Sequence, residues 1–109
     1  MNLQLPEAVE TYFEISNNGD VSRLAACFSA NATVIDENRT HQGIEAIKAW
    51  QTEARQTFTY RVEPLEASQA QGKLSVITRV TGNFPRSPVK LNQLFLLQDG
   101  LIHSLEITP

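Results

Sequence analysis

The first part of the chain carries apolar residues at the spacing of an α-helix. Between Pro6 and about Asn17 they return every three or four positions, on one helix face made of Leu5, Val9, Tyr12, Phe13 and the small polar Ser16. Pro6 suits a first helical turn, and Asn17-Asn18-Gly19 tolerates a left-handed helix end. Asp20 can cap a second, short helix that carries Val21, Leu24, Cys27 and Phe28. The pattern predicts two helices that meet at a tight corner.

A short strand and a third helix follow. The segment from Ala32 to Glu37 is rich in β-branched residues, and the polar run over residues 38–43 is typical of a turn or a short hairpin. From Ile44 to about Thr57 the helical spacing returns, with an acidic residue in the first turn and a basic one in the last, as the helix dipole favours. We therefore predict a helix over residues 44–57.

Extended runs make up the rest of the chain. They cover Phe58 to about Gln69, Lys73 to Phe84, Val89 to Gln98 and Leu101 to Ile107, and each boundary carries Gly or Pro. Strands joined by short turns imply an antiparallel sheet, and helices gathered before them imply that they cover one of its faces. A chain of 109 residues has room for one domain. The sequence predicts a single α+β domain over residues 1–109, with three N-terminal helices packed on a bent antiparallel (mixed-order) sheet.

The run from Val89 to Gln98 is apolar on both sides. Alternation places Asn92, Leu94 and Leu96 on one face and Leu91, Gln93, Phe95 and Leu97 on the other. Because the helices can cover only one face, we expect a second copy of the chain to cover the face that carries Phe95 and Leu97. The sequence thus predicts a homodimer.

Composition and charge exclude several classes of protein. With 9 Lys and Arg against 12 Asp and Glu, the formal charge of -3 gives no basic field for nucleic acid. The sequence has no apolar run near the roughly 18 residues of a membrane helix and no signal segment, so we expect a cytoplasmic protein with no membrane partner. The single cysteine, Cys27, is expected to be a buried apolar residue. His41 and His103 have no recognised metal-ligand spacing, so we expect no metal site.

Three polar residues fall where the pattern places core-facing side chains. Tyr12 lies on the apolar stripe of the first helix, Asp36 shares a strand face with Val34, and Asn92 shares one with Leu94. Each has a structural interpretation, as a core tyrosine, a carboxylate paired with a neighbouring cation or a strand amide that bonds to its neighbours. If all three converge on one apolar cavity, they supply a base and two hydrogen-bond donors, which is an arrangement for proton transfer.

The segments Tyr12-Phe13-Glu14-Ile15-Ser16-Asn17-Asn18-Gly19-Asp20, Ala32-Thr33-Val34-Ile35-Asp36 and Gly43-Ile44-Glu45-Ala46-Ile47 resemble the opening half of ketosteroid isomerases and SnoaL-like polyketide cyclases. The resemblance extends through nearly the whole chain and implies the cystatin-like cone of the nuclear transport factor 2-like superfamily. It implies that Tyr12 bonds the substrate oxygen, that Asp36 is the general base and that Asn92 stands where the isomerases have a protonated aspartic acid. An amide can donate to an oxyanion without a shifted pKa.

The resemblance suggests an enzyme that moves a proton next to a carbonyl without a cofactor, such as an isomerase, a cyclase or a dehydratase, acting on a small apolar molecule. We expect its pocket to be lined by Phe28, Val34, His41, Trp50, Leu94 and Leu105. The superfamily also contains binding modules, so a non-catalytic ligand-binding or dimerisation domain is the alternative. The two interpretations differ in whether Tyr12, Asp36 and Asn92 point into one open cavity, and in whether Asp36 is free or is salt-bridged to Arg39 or His41.

Overall fold

The computed structural model describes residues 4–109, so residues 1–3 of the predicted domain lie outside the described residues. Within this range the helical elements are α1 (Glu7–Asn18), a 3-10 turn (Val21–Arg23), α2 (Leu24–Cys27) and α3 (Ile44–Thr57). The strands are β1 (Phe28–Asp36), β2 (Arg39–Gln42), β3 (Tyr60–Ala70), β4 (Lys73–Gly82), β5 (Val89–Gln98) and β6 (Leu101–Thr108). The α+β class and the three helices agree with the prediction.

All six strands of the described chain form one sheet in the order β2-β1-β6-β5-β4-β3. Its pairs are antiparallel except for β1 and β6, which run parallel, so the sheet is mixed. β1 and β6 can run parallel because a long connection, which contains β2, α3 and the strands β3 to β5, lies between them in the chain. No helix in the described residues is long and apolar enough to cross a membrane.

The second helix is shorter than its apolar spacing suggests. It ends at Cys27, and Phe28 already has extended backbone angles and begins β1, four residues before the predicted start of that strand. The spacing misleads because Leu24 and Phe28 are four apart and both point into the core, which fits a helix and a helix-to-strand junction equally well. The polar run that follows β1 supplies β2, the second arm of the expected hairpin.

The three helices cover one face of the sheet, and an aromatic cluster fills the space between the two layers. Tyr12 and Phe13 of α1 pack against Phe95 of β5 with ring centroids 5.7 and 6.0 Å away, and Phe28 lies edge-on to Tyr12 at 5.8 Å. Cys27 is buried beside them, as predicted, and burial raises the pKa of its thiol to about 11.

This packing corrects the predicted orientation of β5. Phe95 is fully buried under the helices, and Leu97, which follows an irregularity in the β5–β6 pairing, packs against the same core. The face that the helices leave open carries Asn92, Leu94 and Leu96 instead. Alternation could not predict which face of β5 the helices cover, because both faces are mostly apolar. The contacts of Phe95 with the aromatic residues of α1 determine which face is covered.

Arg55 of α3 connects three elements at the end of the sheet nearest the site. Its guanidinium donates to the carbonyl oxygens of Ser16 and Asn17 at the C-terminus of α1, at 2.9 and 3.4 Å, and to that of Tyr60 at 3.1 Å. It also lies over the Tyr60 ring, 5.1 Å from the centroid. A cation is well placed there because the last carbonyls of a helix carry partial negative charge. Arg55 therefore fixes α1 and α3 relative to β3.

Candidate active site

An open cavity of about 460 Å³ lies between α1, the sheet and the loop that joins β4 to β5. This inner cavity has the size of small-molecule sites, which span roughly 300–1,000 Å³. Its wall is mostly apolar and includes Val62, Val80, Leu91 and Ile107. At its edge the Phe58 and Phe84 rings meet edge-to-face, 6.0 Å apart. A ligand that enters this space must be largely apolar.

The Asp36 carboxylate is one of the few charged groups on the cavity wall. It stands at the last position of β1, directly before a two-residue turn in which Glu37 and Asn38 both have positive φ, at 53° and 63°. Such turns fit the twist of a hairpin, so the turn fixes the position of Asp36 at the end of β1. Trp50 Nε1 of α3 donates to Asp36 Oδ2 at 3.1 Å. Within residues 4–109, Oδ1 has no hydrogen-bond donor.

Arg39 and His41 do not neutralise this carboxylate. Arg39 is the ladder partner of Asp36, yet among the described residues Asp36 forms no ion pair within 4.0 Å. Of the two expected arrangements, the structure thus has the one in which Asp36 is free of a salt bridge. A half-buried carboxylate with one unbonded oxygen on an apolar wall can act as a base.

Tyr12 of α1 and Gln93 of β5 form another polar part of the cavity wall. Gln93 lies on the same sheet face as Asp36, because both pair with Ile107 of β6. The Tyr12 hydroxyl donates to Gln93 Oε1 at 3.0 Å, Gln93 Nε2 donates to Thr78 Oγ1 at 3.4 Å, and the Thr78 hydroxyl donates to the Leu91 carbonyl at 3.0 Å. Tyr12 and Gln93 are both almost fully buried. These hydrogen bonds give each of the three side chains a partner and restrict their orientation.

The two tyrosines of the cavity keep their protons. Burial raises the pKa of Tyr12 well above its ordinary value, the neighbouring Ser16 hydroxyl opposes the shift by less, and the nearby Asp36 charge adds to it. Burial also raises the pKa of Tyr60, against the effect of the Arg55 cation. Tyr12 is therefore available as a hydrogen-bond donor and not as an anion.

The structure brings together two of the three predicted catalytic residues. Tyr12 and Asp36 line the inner cavity, but Asn92 does not. Its Oδ1 accepts a hydrogen bond from Ser75 on the opposite face of the sheet, at 2.6 Å. The prediction that Asn92 shares the cavity is wrong, because strand parity turns Asn92 outward and turns its neighbour Gln93 inward.

The predicted pocket residues divide into three groups. Phe28, Val34 and Leu105 are core residues beneath the site, each no more than 1% exposed. Leu94 lies on the open face beside Asn92, for the same reason of parity. His41 and Trp50 line a second, smaller space of about 250 Å³ between the β1–β2 hairpin and α3.

This outer groove shares Asp36, Glu37 and Phe58 with the inner cavity. The His41 ring lies against the Trp50 indole, with centroids 6.0 Å apart. Asp36 thus stands between the inner cavity and the outer groove. In residues 4–109 there is no group of three or more His, Cys, Asp or Glu that could hold a metal ion.

Sequence reasoning missed Gln93, Thr78 and Tyr60 as parts of the site. Gln93 was already on the face that carries Phe95, so the pairing of Phe95 with the aromatic residues of α1 would have identified it. Thr78 and Tyr60 carried no such signal, because a threonine and a tyrosine are ordinary strand residues.

The comparisons with known proteins agree with this architecture. The family model for the SnoaL-like domain matches residues 9–104. A proposed polyketide cyclase from Sinorhizobium meliloti is 39% identical in sequence, with 95% of each chain covered and a TM-score of 0.90. The comparison with curated proteins gives no match.

Two more distant structures show the fold alone. A protein with a ketosteroid isomerase-like fold from Catenulispora acidiphila, crystallised with trimethylamine, is 18% identical over 97% of this chain and 87% of its own, with a TM-score of 0.84. A cystatin-fold protein from Novosphingobium aromaticivorans is 13% identical over 99% and 100%, with a TM-score of 0.80. The cystatin-like fold predicted from the resemblance is therefore confirmed, and the chain belongs to the SnoaL-like domain family.

Proposed function

We propose that this protein is a cofactor-free enzyme that moves a proton next to a carbonyl group of a small apolar substrate. One observation supports this above all. Asp36 presents an unbonded carboxylate oxygen to an apolar cavity that the Tyr12–Gln93 pair also lines. A base and a hydrogen-bond donor in one apolar cavity are what enolisation requires.

In the proposed reaction, Asp36 Oδ1 takes a proton from the carbon beside the carbonyl. The C–H electron pair forms the new C=C bond, the C=O π pair moves onto the oxygen, and the resulting enolate is stabilised by an N–H of Gln93, whose Oε1 accepts from Tyr12. Return of the proton to another carbon gives isomerisation. Attack of the enolate carbon on a second carbonyl gives ring closure, with the proton held by Asp36 passing to the new alkoxide. Loss of a hydroxyl from the β-carbon gives dehydration, with the same proton leaving on that oxygen as water. The similarity to the Sinorhizobium protein favours polyketide-like substrates.

One observation favours a non-catalytic, ligand-binding alternative. The Tyr12 hydroxyl already has an acceptor in Gln93, so it must break that bond, or share it, to reach a ligand. A pocket that only holds a ligand would have no need of an exposed base. The two functions can therefore be distinguished by whether Asp36 removes a proton from the bound molecule.

A substrate-independent assay can test the base. 5-Nitrobenzisoxazole is a planar aromatic molecule; when a base removes its ring C–H proton, the N–O bond breaks and a coloured cyanophenolate forms. We expect the wild-type protein to accelerate this ring opening and Asp36→Asn to lose at least about a hundredfold of that rate, the lower end of what a positioned base contributes. Glu53→Gln removes a carboxylate that lines only the outer groove and is the matched control.

Binding of substituted phenols tests the hydrogen-bond donors of the Tyr12–Gln93 pair. A phenolate mimics an enolate, so affinity should rise with phenol acidity, and Asp36→Asn should raise it further because a repelling carboxylate is gone. Phenol binding without any Asp36-dependent ring opening would support the ligand-binding alternative. If neither probe interacts, the enzyme proposal fails.

A further inference from the structure

The hydrogen bonds behind the cavity run in one direction, and Thr78 sets that direction. A threonine hydroxyl has a single proton. Here it goes to the carbonyl oxygen of Leu91, the cross-strand partner of Thr78, at 3.0 Å. Thr78 Oγ1 can then only accept from Gln93, so the NH₂ end of that amide must face Thr78.

This constraint fixes the other end of Gln93. With its NH₂ group at Thr78, the amide presents Oε1 to Tyr12, and the Tyr12 hydroxyl must donate to it. The reverse orientation would place Oε1 against a Thr78 oxygen whose proton is already committed. The amide would then have to break the Thr78–Leu91 bond, the shorter of the two bonds that Thr78 makes.

One donor of this network is left over. A primary amide has two N–H groups, and Thr78 accepts only one of them. The second has no acceptor in the part of the chain that the structure describes, although Gln93 lies on the cavity wall. Tyr12 also lines the cavity, but its proton is directed at Gln93.

We propose that Thr78 determines the polarity of the ligand site: by fixing the Gln93 amide, it directs the free N–H at the ligand, so the site selects molecules that bring a carbonyl oxygen to this wall. The inference rests on the proposed function and identifies the residue that orients its donor toward the carbonyl oxygen. Thr78 does not line the cavity, so it acts through Gln93 and is a positioning residue.

The test compares 1-indanone with indane, which has the same rings without the oxygen, on the wild-type protein, Thr78→Val and Thr78→Ser. Valine keeps the shape of threonine without the hydroxyl, and serine keeps the hydroxyl. We expect the wild type to bind the ketone about twofold to tenfold better than the hydrocarbon, the range for one net hydrogen bond. Thr78→Val should lose this preference, and Thr78→Ser should restore it.

The infrared carbonyl stretch of bound 1-indanone provides a readout that a purely structural role would not move. It should lie at lower wavenumber in the wild type and in Thr78→Ser than in an alkane, and should return toward the alkane position in Thr78→Val. If Thr78→Val does not fold, Gln93→Met should abolish the preference and the shift instead.

The inference is overturned if the wild type does not prefer the ketone. It is also overturned if Thr78→Val or Gln93→Met keeps both this preference and the lowered wavenumber of the carbonyl stretch. Its failure is distinguishable from failure of the proposed function, because ring opening of 5-nitrobenzisoxazole depends on Asp36 and needs no carbonyl at the Gln93 wall.

Discussion

Asp36 depends on one neighbour for its orientation. The Trp50 indole N–H donates to Oδ2, and this leaves Oδ1 as the oxygen open to a ligand. A hydrogen bond to a carboxylate stabilises its charged form and restricts its rotamer. Because the base must meet the substrate at a defined angle, Trp50 contributes to the proposed reaction without touching the substrate.

Replacing Trp50 by Phe tests this dependence, because it removes the N–H and keeps an aromatic ring. The ring-opening rate should fall about threefold to tenfold, since the carboxylate is less well placed. His41→Gln removes the ring that packs on Trp50 and keeps the indole N–H of Trp50, so it should leave the ring-opening rate close to that of the wild type. An unchanged rate in Trp50→Phe would show that this hydrogen bond does not position the base.

The residues show how far sequence reasoning reaches. Tyr12 and Asp36 could be placed because each follows an unambiguous pattern, the stripe of α1 and the end of a short strand before a turn. Asn92 could not, because β5 is apolar on both faces and a shift of one residue exchanges them. The correct choice, Gln93, depends on contacts with residues about eighty positions away, which periodicity does not contain.

At the scale of elements, local sequence signals correctly predicted the features that depend on a single helix or hairpin. The bounds of α3 and β5 agree with the predicted 44–57 and 89–98, and the turn at Asp99-Gly100 joins β5 to β6. The parallel pairing of β1 with β6 could not be predicted from the sequence, because it joins strands that are separated by most of the chain. The end of α2 was also missed, because four residues make only about one helical turn, which is too short to separate a helix from a helix-to-strand junction.

The junction of α1, α3 and β3 depends on Arg55, so Arg55→Met should destabilise the protein. Methionine fills similar volume, but the carbonyls of Ser16, Asn17 and Tyr60 lose their donors. We expect the free energy of unfolding to fall by about 1.5–3 kcal/mol, the range for hydrogen bonds that involve a charged group. The measurement is urea unfolding, read from the midpoint at constant slope.

Arg23→Met is the matched control, because Arg23 pairs with Glu14 at 3.4 Å on the surface, where both side chains are about half exposed. It should change the free energy of unfolding by less than about 0.5 kcal/mol. Equal effects of the two substitutions would show that the three-element junction is not a special source of stability.

The whole molecule has one sheet face under the helices and one without a covering layer. This open face carries Ile77, Leu94 and Leu96, all half-buried, and Ile35, which is 37% exposed. Polar residues stand among them, including the hydrogen-bonded Ser75–Asn92 pair. An apolar centre with satisfied polar groups is typical of a surface that pairs with another protein.

We therefore predict a homodimer through the open face, with Leu94 and Leu96 in place of the Phe95 and Leu97 expected from sequence. Leu94→Glu should shift the protein toward monomer in sedimentation velocity, because pairing would bury two unpaired charges close to a twofold axis. Ala49→Glu, on an exposed position of α3, adds the same charge away from the sheet and should leave the association unchanged. A wild-type protein that sediments as a monomer across micromolar concentrations would contradict the dimer. Since Asp36, Tyr12 and Gln93 come from the helix-covered side, that result would leave the proposed site complete within one chain.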